Sequence, residues 1–246
     1  QIVVKPDTPS GGKGVKVFGE HLKTRKDILD YIIAIREQEI DVILEEKLVG
    51  KEFSLISIVD GNTCIHAPPI VDFKRLNNNN EGPNTGSMGC ITDKDGLNFL
   101  TQRDIATATQ INERMLTILN NDNKDTGYNN KKYNHIFNIA YFNYFKGFLY
   151  GSFMKTDKGE IKVIEYNARL GDPEAIPLLQ QLNIDFVSLC NHMKQQTLHT
   201  LKDCFEPQSS VCQYLVPAEY PNATSSFSFT LDSVTEKEER HILFGS

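Results

Sequence analysis

Two segments of the chain have the pattern of β-hairpins, and together they restrict its fold class. Asp60-Gly61 follows the apolar run at residues 53–59, and Asp157-Lys158-Gly159 separates residues 147–155 from residues 160–165. A tight turn of this composition between two apolar runs indicates a pair of antiparallel strands. Helical segments lie between these hairpins and beside them. The sequence therefore predicts an α+β fold with a largely antiparallel sheet.

Two helices are predicted in the first half of the chain. Thr24 followed by Asp27 is typical of a helix start, with Thr as the N-cap and a carboxylate three residues later. We expect helices at residues 25–38 and 101–119, because both segments carry apolar residues at helical spacing. The Asn-rich residues 120–134 contain almost no aliphatic side chains, so we expect an inserted surface loop there.

Another helix start is predicted in the second half. Asp172-Pro173-Glu174 has the order of an N-cap, a proline at the first helical position and a carboxylate in the first turn. A helix or a pair of helices would continue to about residue 196. Phe186, Leu189 and Met193 form the apolar stripe that we expect to face the core.

Charge and composition argue against several classes of protein. The 246 residues carry a formal net charge of −6, whereas proteins that bind nucleic acid present a basic surface. No apolar run approaches the ~20 residues of a membrane-spanning helix, so no membrane partner is expected. The five cysteines include no CxxC pair, which argues against a zinc site or a disulfide framework. We expect a soluble, cytoplasmic protein with reduced thiols.

Lysines and glycines near the start of the chain have a composition that suits an anion. Lys5 ends an apolar strand, and Lys13 lies within the glycine-rich residues 9–14. Glycines let the backbone approach a ligand and turn its N–H groups toward an anion, and lysines add positive charge. This is not a P-loop, because Gly14 replaces the Ser or Thr that would hold magnesium. A flexible turn with surface lysines is the alternative.

A charged strand exit follows at residues 45–52. Main-chain groups of such a segment can pair with the edge of an adenine ring, and a later carboxylate can hold ribose hydroxyls. Taken by itself, the segment is read more simply as an exposed charged turn.

A third cluster lies at the end of the hairpin over residues 147–165. Glu165 and Asn167 are two residues apart, so their side chains project from the same face of a strand. Two adjacent oxygen ligands suit a magnesium ion that keeps water and phosphate oxygens as further ligands. Arg169 can reach the same ligand with its fork of donors. A structural pair of Arg169 with Asp172 before a helix is the alternative.

A glycine-rich stretch forms the fourth cluster. Asp72 and Lys74 precede the segment Gly82-Pro-Asn-Thr-Gly-Ser-Met-Gly89, which holds three glycines in eight residues. This composition indicates unusual backbone dihedrals or the close approach of a ligand. An ordinary long loop is the alternative.

In this order, the four clusters resemble the ATP-grasp ligases, and in particular the phosphoribosylamine–glycine ligase family of purine biosynthesis. The glycine-rich stretch at residues 82–89 is similar to a motif of that family. So are Gly147-Phe-Leu-Tyr150 and Val163-Ile-Glu-Tyr-Asn-Ala-Arg-Leu-Gly-Asp-Pro-Glu174. The resemblance covers about residues 1–205, and Val211-Cys-Gln-Tyr-Leu-Val-Pro-Ala-Glu-Tyr-Pro221 resembles the start of the family's carboxy-terminal domain.

The resemblance implies an ATP-grasp fold with three parts. Residues 1–44 would be part of the small lobe with its glycine-rich flap, residues 45–205 the main lobe, and residues 206–246 the beginning of a small β-rich carboxy-terminal domain. Because nothing in the sequence corresponds to the family's amino-terminal domain, we expect the chain to be a piece of a longer ligase, with little or no turnover alone.

The resemblance also implies roles for individual residues. One set would bind ATP: Lys5, Lys13, Glu45, Glu46, Leu48 and Glu52. Glu165 and Asn167 would hold Mg²⁺ or Mn²⁺, and Arg169 and Lys13 would act at the centre of phosphoryl transfer. Another set would line the pocket for the amino acid and its acyl phosphate: Asp72, Lys74, Asn84, Thr85, Gly86 and Asp172. The implied reaction activates glycine as glycyl phosphate, which the amine of phosphoribosylamine then attacks.

Three departures from the family pattern support other hypotheses. The family usually has histidine where this chain has Phe73, acidic residues within the equivalent of residues 77–80, and glycine in place of Ser87. The first alternative is a degenerate homologue that binds Mg-ATP without making a bond. The second is another ATP-grasp ligase that acts on a different carboxylate.

Overall fold

The computed structural model describes residues 2–8, 14–121, 144–222, 235 and 241–243. The strands are β1 (Ile2–Pro6), β2 (Lys16–Val17), β3 (Val42–Glu46), β4 (Gly50–Asp60), β5 (Cys64–His66), β6 (Val71–Asp72), β7 (Arg75–Asn77), β8 (Glu81–Asn84), β9 (Gly89–Thr92), β10 (Lys146–Thr156), β11 (Ile161–Asn167) and β12 (Ser210–Gln213). The helices are α1 (Arg25–Arg36), α2 (Gln102–Asn121), α3 (Ala175–Gln180) and α4 (Phe186–Gln195). Short 3-10 turns lie at Asn78–Asn80 and Leu198–Thr200.

A four-stranded antiparallel sheet in the order β11-β10-β4-β5 forms the centre of the fold. β4 and β10 pair along their full lengths, from Asp60 opposite Lys146 to Gly50 opposite Thr156. β5 returns beside β4 after Asp60-Gly61, and β11 returns beside β10 after a tight turn. Both predicted hairpins and the α+β class are therefore confirmed.

Helix α2 packs against one face of this central sheet. Phe53, Leu55 and Phe153 of the strands meet Ala108 of the helix in a buried cluster. The Phe53 and Phe153 rings stack with their centroids 5.5 Å apart. The helix predicted at residues 101–119 is thus confirmed. It takes in the first two residues of the segment expected to be a loop, and the rest of that segment lies outside the described residues.

The opposite face of the central sheet is covered by the smaller sheet β6-β9-β12 and by α3. The buried residues that fill this layer are Ile56, Ala67, Ile70, Cys90, Tyr150 and Leu178. β12 belongs to this layer because it pairs antiparallel with β9. The domain boundary expected at residue 206 stays a prediction, although residues 210–213 pack on the main body.

A separate three-stranded sheet, β2-β1-β3, carries helix α1. The Asp27 amide donates to the Thr24 hydroxyl at 3.1 Å, and the Thr24 amide donates to the Asp27 carboxylate at 2.9 Å. The predicted helix start is therefore confirmed as a full capping box, which satisfies amides that lack a partner at a helix start. The helix ends at Arg36, two residues before the expected end.

The predicted start of the next helix is wrong in its details. Helix α3 begins at Ala175, with Glu174 rather than Asp172 as its N-cap residue. The Glu174 side chain makes no capping bond, because it is buried and bound by hydroxyl groups of the central sheet. In the predicted apolar stripe, Leu189 and Met193 are buried, whereas Phe186 is 40% exposed.

The five cysteines are all free thiols in the structure. Within the described residues, no helix combines the length and the apolar character needed to cross a membrane.

Candidate active site

Polar side chains collect on the face of the central sheet that lies away from α2. Ser54 of β4, Ser152 of β10 and Glu165 of β11 stand opposite one another in a single cross-strand row. Side chains in such a row share one face of the sheet. In the next row with side chains on this face, two residues along the strands, Tyr150 stands opposite Asn167. The sheet register therefore brings Glu165 and Asn167 to the same face as two serines and a tyrosine.

Glu165 and Asn167 form an adjacent pair of oxygen-bearing side chains, as their spacing predicts. The amide nitrogen of Asn167 donates to Glu165 Oε1 at 3.2 Å, and the Glu165 side chain is exposed. No group of three or more His, Cys, Asp or Glu side chains in the described parts of the chain could hold a metal ion. The pair therefore fits a Mg²⁺ ion that takes most of its ligands from water and phosphate, and it does not fit a cation enclosed by protein ligands.

Arg169 lies two residues beyond this pair and contacts the same face. Its guanidinium carbon is 5.8 Å from the centroid of the Tyr150 ring, within range of a cation–π interaction. One of its terminal nitrogens donates to the carbonyl of Leu170 at 2.8 Å. The described structure does not pair Arg169 with Asp172 in a salt bridge, so the structural alternative for this cluster lacks support.

A buried hydroxyl–carboxylate cluster lies beneath the site. The Tyr150 hydroxyl donates to Glu174 Oε1 at 2.7 Å, and Ser54 Oγ lies 2.7 Å from the Tyr150 oxygen and 3.2 Å from Glu174 Oε1. Glu174 is only 2% exposed. A Cβ atom on Gly171 would lie 2.4 Å from Glu174 Oε2, so this close approach requires glycine. This cluster was not predicted from the sequence, although a Ser and a Tyr within otherwise apolar strands could have indicated it.

Asp72, Lys74 and Glu52 line a small pocket beside the row of serines, together with Phe53, Ser54 and Ser152. The Ser87 hydroxyl donates to Asp72 Oδ1 at 2.6 Å. Burial raises the pKa of the Asp72 carboxyl to about 6; the Ser87 hydrogen bond opposes this rise, and the nearby Glu174 carboxylate reinforces it. The pocket thus holds a carboxyl group that is half protonated at about pH 6.

Lys74 is the cation of this pocket. Its Nζ lies 3.4 Å from Glu52 Oε2. Burial alone would lower the pKa of Lys74, but the negative charges of Glu52 and Asp72 more than offset that effect and raise it. Glu52 was predicted to hold ribose, and the structure places it beside Lys74, which was predicted to lie on the substrate side. Both roles stay predictions.

The glycine-rich turn is held over the pocket from two directions. Thr85 donates to the Lys74 carbonyl through its amide at 2.7 Å and through its hydroxyl at 3.0 Å. The Gly86 amide donates to the Tyr220 hydroxyl at 3.2 Å. Asn84 lies opposite Arg75 in the β7–β8 hairpin and is exposed. The turn is therefore anchored at its centre, and one anchor comes from the segment that follows β12.

Two tyrosines of that final segment were not predicted as site residues. Tyr220 contacts the glycine-rich turn, and the Tyr214 hydroxyl donates to Asp172 Oδ1 at 3.0 Å. Asp172 is thus engaged by a tyrosine rather than by a helix amide. No sequence pattern pointed to these tyrosines, because both contacts join residues more than 40 positions apart.

The nucleotide side of the predicted site is built on the small sheet. Lys5 Nζ lies 2.7 Å from Glu45 Oε2, which joins two predicted nucleotide ligands across β1 and β3. Lys162 of β11 lies 4.0 Å from Glu46 Oε1 and so brings the central sheet beside β3. Leu48 follows at the strand exit before β4. Lys13 lies outside the described residues.

Known structures define the class to which this fold belongs. A crystal structure of phosphoribosylamine–glycine ligase from Thermotoga maritima superposes with a TM-score of 0.67 at 27% identity, over 90% of this chain and 51% of that chain. N5-carboxyaminoimidazole synthase from Aspergillus clavatus, crystallised with ADP and 5-aminoimidazole ribonucleotide, superposes with a TM-score of 0.53 at 9% identity, over 85% of this chain and 44% of that one. The fold is the α+β ATP-grasp fold.

Sequence comparison identifies the family within that class. Residues 1–175 match the ATP-grasp (A) domain of phosphoribosylglycinamide synthetase, and the chain belongs to this family. Phosphoribosylamine–glycine ligase from Methanocella arvoryzae is 39% identical over 247 aligned positions, which cover 100% of this chain and 52% of that protein. The chain spans about half the length of the curated relatives that it matches.

Proposed function

We propose that the chain is the ATP-binding core of an ADP-forming ligase that joins glycine to 5-phosphoribosylamine in purine biosynthesis, in the cytoplasm. Its membership of the family supports the reaction. The structural observation that carries the proposal is the shared face of the central sheet. Glu165 and Asn167 stand there in register with Ser152 and Tyr150, beside the pocket of Asp72 and Lys74. A metal–phosphate group bound to Glu165 and Asn167 would lie next to a substrate in that pocket.

The nucleotide would be held between the small sheet and the central sheet. In this proposal, Lys5 and Lys13 contact phosphates, Glu46 and Leu48 present main-chain groups to adenine with Glu45 beside them, and Glu52 holds ribose. The closeness of Lys5 to Glu45 and of Glu46 to Lys162 supports the placement of this set along one edge.

Glu165 and Asn167 would hold Mg²⁺ or Mn²⁺. Both side chains carry oxygen atoms, they lie within hydrogen-bond distance of each other, and phosphate oxygens and water would supply the remaining ligands. When bound, the ion neutralises charge on the transferring phosphoryl group.

The chemistry assigned to the chain is positioning and charge neutralisation. The glycine carboxylate attacks the terminal phosphorus of ATP, ADP leaves, and glycyl phosphate forms. The amine of phosphoribosylamine then attacks the acyl carbon, so that the amide bond forms while phosphate leaves. Arg169 and Lys13 stabilise charge on the phosphoryl oxygens during transfer. The set of Asp72, Lys74, Asn84, Thr85, Gly86 and Asp172 holds the amino acid and shields the acyl phosphate from water.

Release of ADP tests the proposal. We expect the longest protein that contains this sequence to release ADP only when both glycine and phosphoribosylamine are present, and the 246-residue chain alone to do so weakly or not at all. Omission of either substrate, and replacement of glycine by alanine or bicarbonate, are the controls. Release that depends on another carboxylate would assign a different ATP-grasp ligase activity.

A degenerate homologue that binds Mg-ATP without ligation is the second candidate. The observation in its favour is the bond from Ser87 to Asp72, since the family usually has glycine at this position and this serine engages a carboxylate predicted to contact substrate. Calorimetry that shows nucleotide binding, together with no ADP release under any substrate combination, would establish this candidate. Glycine-dependent turnover would exclude it.

A further inference from the structure

A fully buried asparagine on α2 connects strands of the central sheet. Asn112 is 0% exposed, although it lies in the middle of a helix where polar side chains usually face water. Its amide nitrogen donates to the Leu55 carbonyl at 3.1 Å and to Ser57 Oγ at 2.8 Å. Its Oδ1 accepts the hydroxyl of Tyr166 at 3.1 Å. Both hydrogens of the amide are used, so the group is well satisfied despite its burial.

Gly151 provides the space for this side chain. A Cβ atom at Gly151 would lie 2.7 Å from Asn112 Oδ1, closer than a real contact allows. The register places Leu55, Gly151 and Tyr166 opposite one another on β4, β10 and β11. Asn112 therefore spans one cross-strand row, with a hydrogen bond to each of its outer members and a glycine beneath it.

The two rows beside this one carry the candidate metal ligands. Tyr166 lies between Glu165 and Asn167 in sequence, so its side chain points to the opposite face of the sheet from theirs. The pairing of β10 with β11 shifts register between Ser152 and Phe153, directly beyond the row of Glu165. A bulge of this kind disrupts the hydrogen-bond ladder locally and changes the direction of nearby side chains.

We propose that Asn112 is a positioning residue for the Glu165–Asn167 pair: by holding the Tyr166 row from the α2 side, it fixes the position of β11 beside the bulge, and the directions of the two ligands depend on that position. Asn112 touches neither ligand and acts only through Tyr166 and the backbone. The inference rests on the proposed function, because it assigns a consequence to the metal role of Glu165 and Asn167.

Two variants remove the connection in different ways. Asn112→Ala removes all three hydrogen bonds, and Tyr166→Phe removes only the bond to Asn112 Oδ1 and keeps the helix–strand packing. Asn120→Ala is the matched control. Asn120 lies on the same helix and also bridges two segments, donating to the Gly61 carbonyl at 2.7 Å and accepting from the Phe145 amide at 3.2 Å. Neither of these bonds involves β11.

Calorimetric titration of ATP, in Mg²⁺ and separately in EDTA, gives the decisive comparison. Loss of a residue bonded directly to a metal ligand typically costs ~10–100-fold in affinity, and Asn112 and Tyr166 act one step further away. We therefore expect Asn112→Ala and Tyr166→Phe to raise the Kd for ATP in Mg²⁺ by up to about tenfold. The Kd in EDTA should be unchanged, and Asn120→Ala should match the wild type in both solutions. If Asn112→Ala does not fold, Tyr166→Phe decides the question.

The outcomes separate this inference from the proposed function. If the wild type binds ATP more tightly in Mg²⁺ and Tyr166→Phe retains that difference in full, the positioning role is wrong and the metal assignment stands. If Kd rises equally in Mg²⁺ and in EDTA, the bond is only structural and the inference is wrong. If the wild type shows no dependence on Mg²⁺, the metal assignment and this inference are overturned together.

Discussion

The two faces of the central sheet differ in how far the protein compensates the charge of their carboxylates. On the face covered by α2, Asp104 accepts hydrogen bonds from Lys155 and Thr101, each at 2.8 Å or less. These bonds, the one from Lys155 first among them, lower the pKa of Asp104 to about 2. On the other face, burial raises the pKa of Asp72 to about 6. One aspartate is stabilised as an anion by the fold, and the other is destabilised as an anion.

This difference separates structural polar groups from functional ones. On the α2 face, the Asp104 carboxylate and the Asn112 amide both have partners supplied by the chain. On the opposite face, which carries the candidate active site and is called the site face below, Lys74 is the lysine close to the carboxylates of Glu52, Asp72 and Glu174. Among the described residues, Asp72 and Glu174 otherwise accept only from neutral hydroxyl groups. Burial of a carboxylate is costly unless a cation or a donor offsets it, and the bond from Ser87 does not fully offset the burial of Asp72. The site face therefore keeps a carboxyl group whose charge the fold does not fully compensate.

Loss of the Glu165 charge should give the largest effect and would test the site face directly. We expect Glu165→Gln to weaken ATP binding in Mg²⁺ by about a hundredfold, or about 2.7 kcal/mol, because one of the two proposed oxygen ligands loses its charge. Its thermal stability should be unchanged, since the side chain is exposed and packs against little. Titration calorimetry and a melting curve measure the two quantities.

Glu160→Gln is the matched control for that change. It removes a carboxylate from the turn that precedes the same strand, where Glu160 Oε2 lies 3.7 Å from Lys162. ATP affinity in Mg²⁺ that is equal in the two variants would show that the site face carries no metal role.

Asp104→Asn should have the second-largest effect, and on stability rather than binding. A native pKa of about 2 against about 3.9 in the unfolded chain means that the carboxylate stabilises the fold above pH 4, and that this stability is lost as the pH falls through 2. The shift corresponds to at most ~2.6 kcal/mol, and screening near the surface reduces the expected loss at pH 7 to about 1.5 kcal/mol. Urea unfolding at pH 7 measures it.

ATP affinity is the control measurement for the same variant. We expect Asp104→Asn to leave ATP binding in Mg²⁺ unchanged, because Asp104 lies on the α2 face of the sheet. A binding loss similar to that of Glu165→Gln would mean that the two faces are not functionally distinct.

Asp72→Asn should change stability in the opposite direction. The native pKa of about 6 lies above the unfolded value of about 3.9, so the native state binds more protons between these pH values and stability falls as the pH rises through the interval. The amide keeps an oxygen to accept the Ser87 hydroxyl. After allowance for partial exposure, we expect the variant to be more stable than the wild type by about 1 kcal/mol at pH 8 and equal to it at pH 4.

Chemical unfolding of both proteins at the two pH values tests this sign. A variant that is less stable than the wild type at pH 8 would show that Asp72 is structural, as Asp104 is. Asp72 would then not belong among the groups that the site face leaves uncompensated.

Features set by local chemistry could be predicted from the sequence. The Asp60-Gly61 turn, the Thr24 cap and the alternation that puts Glu165 beside Asn167 each depend on neighbours within four residues. The family motifs then added roles for residues such as Lys5 and Asp72, whose local patterns alone were ambiguous. What could be predicted was therefore a set of short segments, each with an assigned chemistry.

Features set by distant pairing could not be predicted. Glu174 was interpreted as a helix-start residue, but its carboxylate meets Ser54, which is 120 positions away in sequence. Asn112 gave no signal, because an asparagine within a helical pattern indicates a solvent-facing position unless its partners are known. Its partner Leu55 is 57 positions away. Such contacts follow from the register of strands that are far apart in the chain, which periodicity does not specify.

Tyr220→Phe should have the smallest effect, and it asks how far the site face extends. The variant removes the acceptor of the Gly86 amide and a donor 3.4 Å from the Ser87 carbonyl, but it leaves the ring and its packing in place. A single exposed hydrogen bond is worth about 0.5–1 kcal/mol, so we expect the Gly86 amide to exchange with solvent about threefold faster and global stability to be nearly unchanged. Hydrogen exchange read by NMR measures this, with Tyr214→Phe as the control, because its hydroxyl binds Asp172 instead.

Faster exchange at Gly86 in Tyr220→Phe alone would place the segment after β12 within the site, because that segment would then hold the glycine-rich turn over the pocket of Asp72. Equal exchange in both variants would confine the site to the sheet and its own loops.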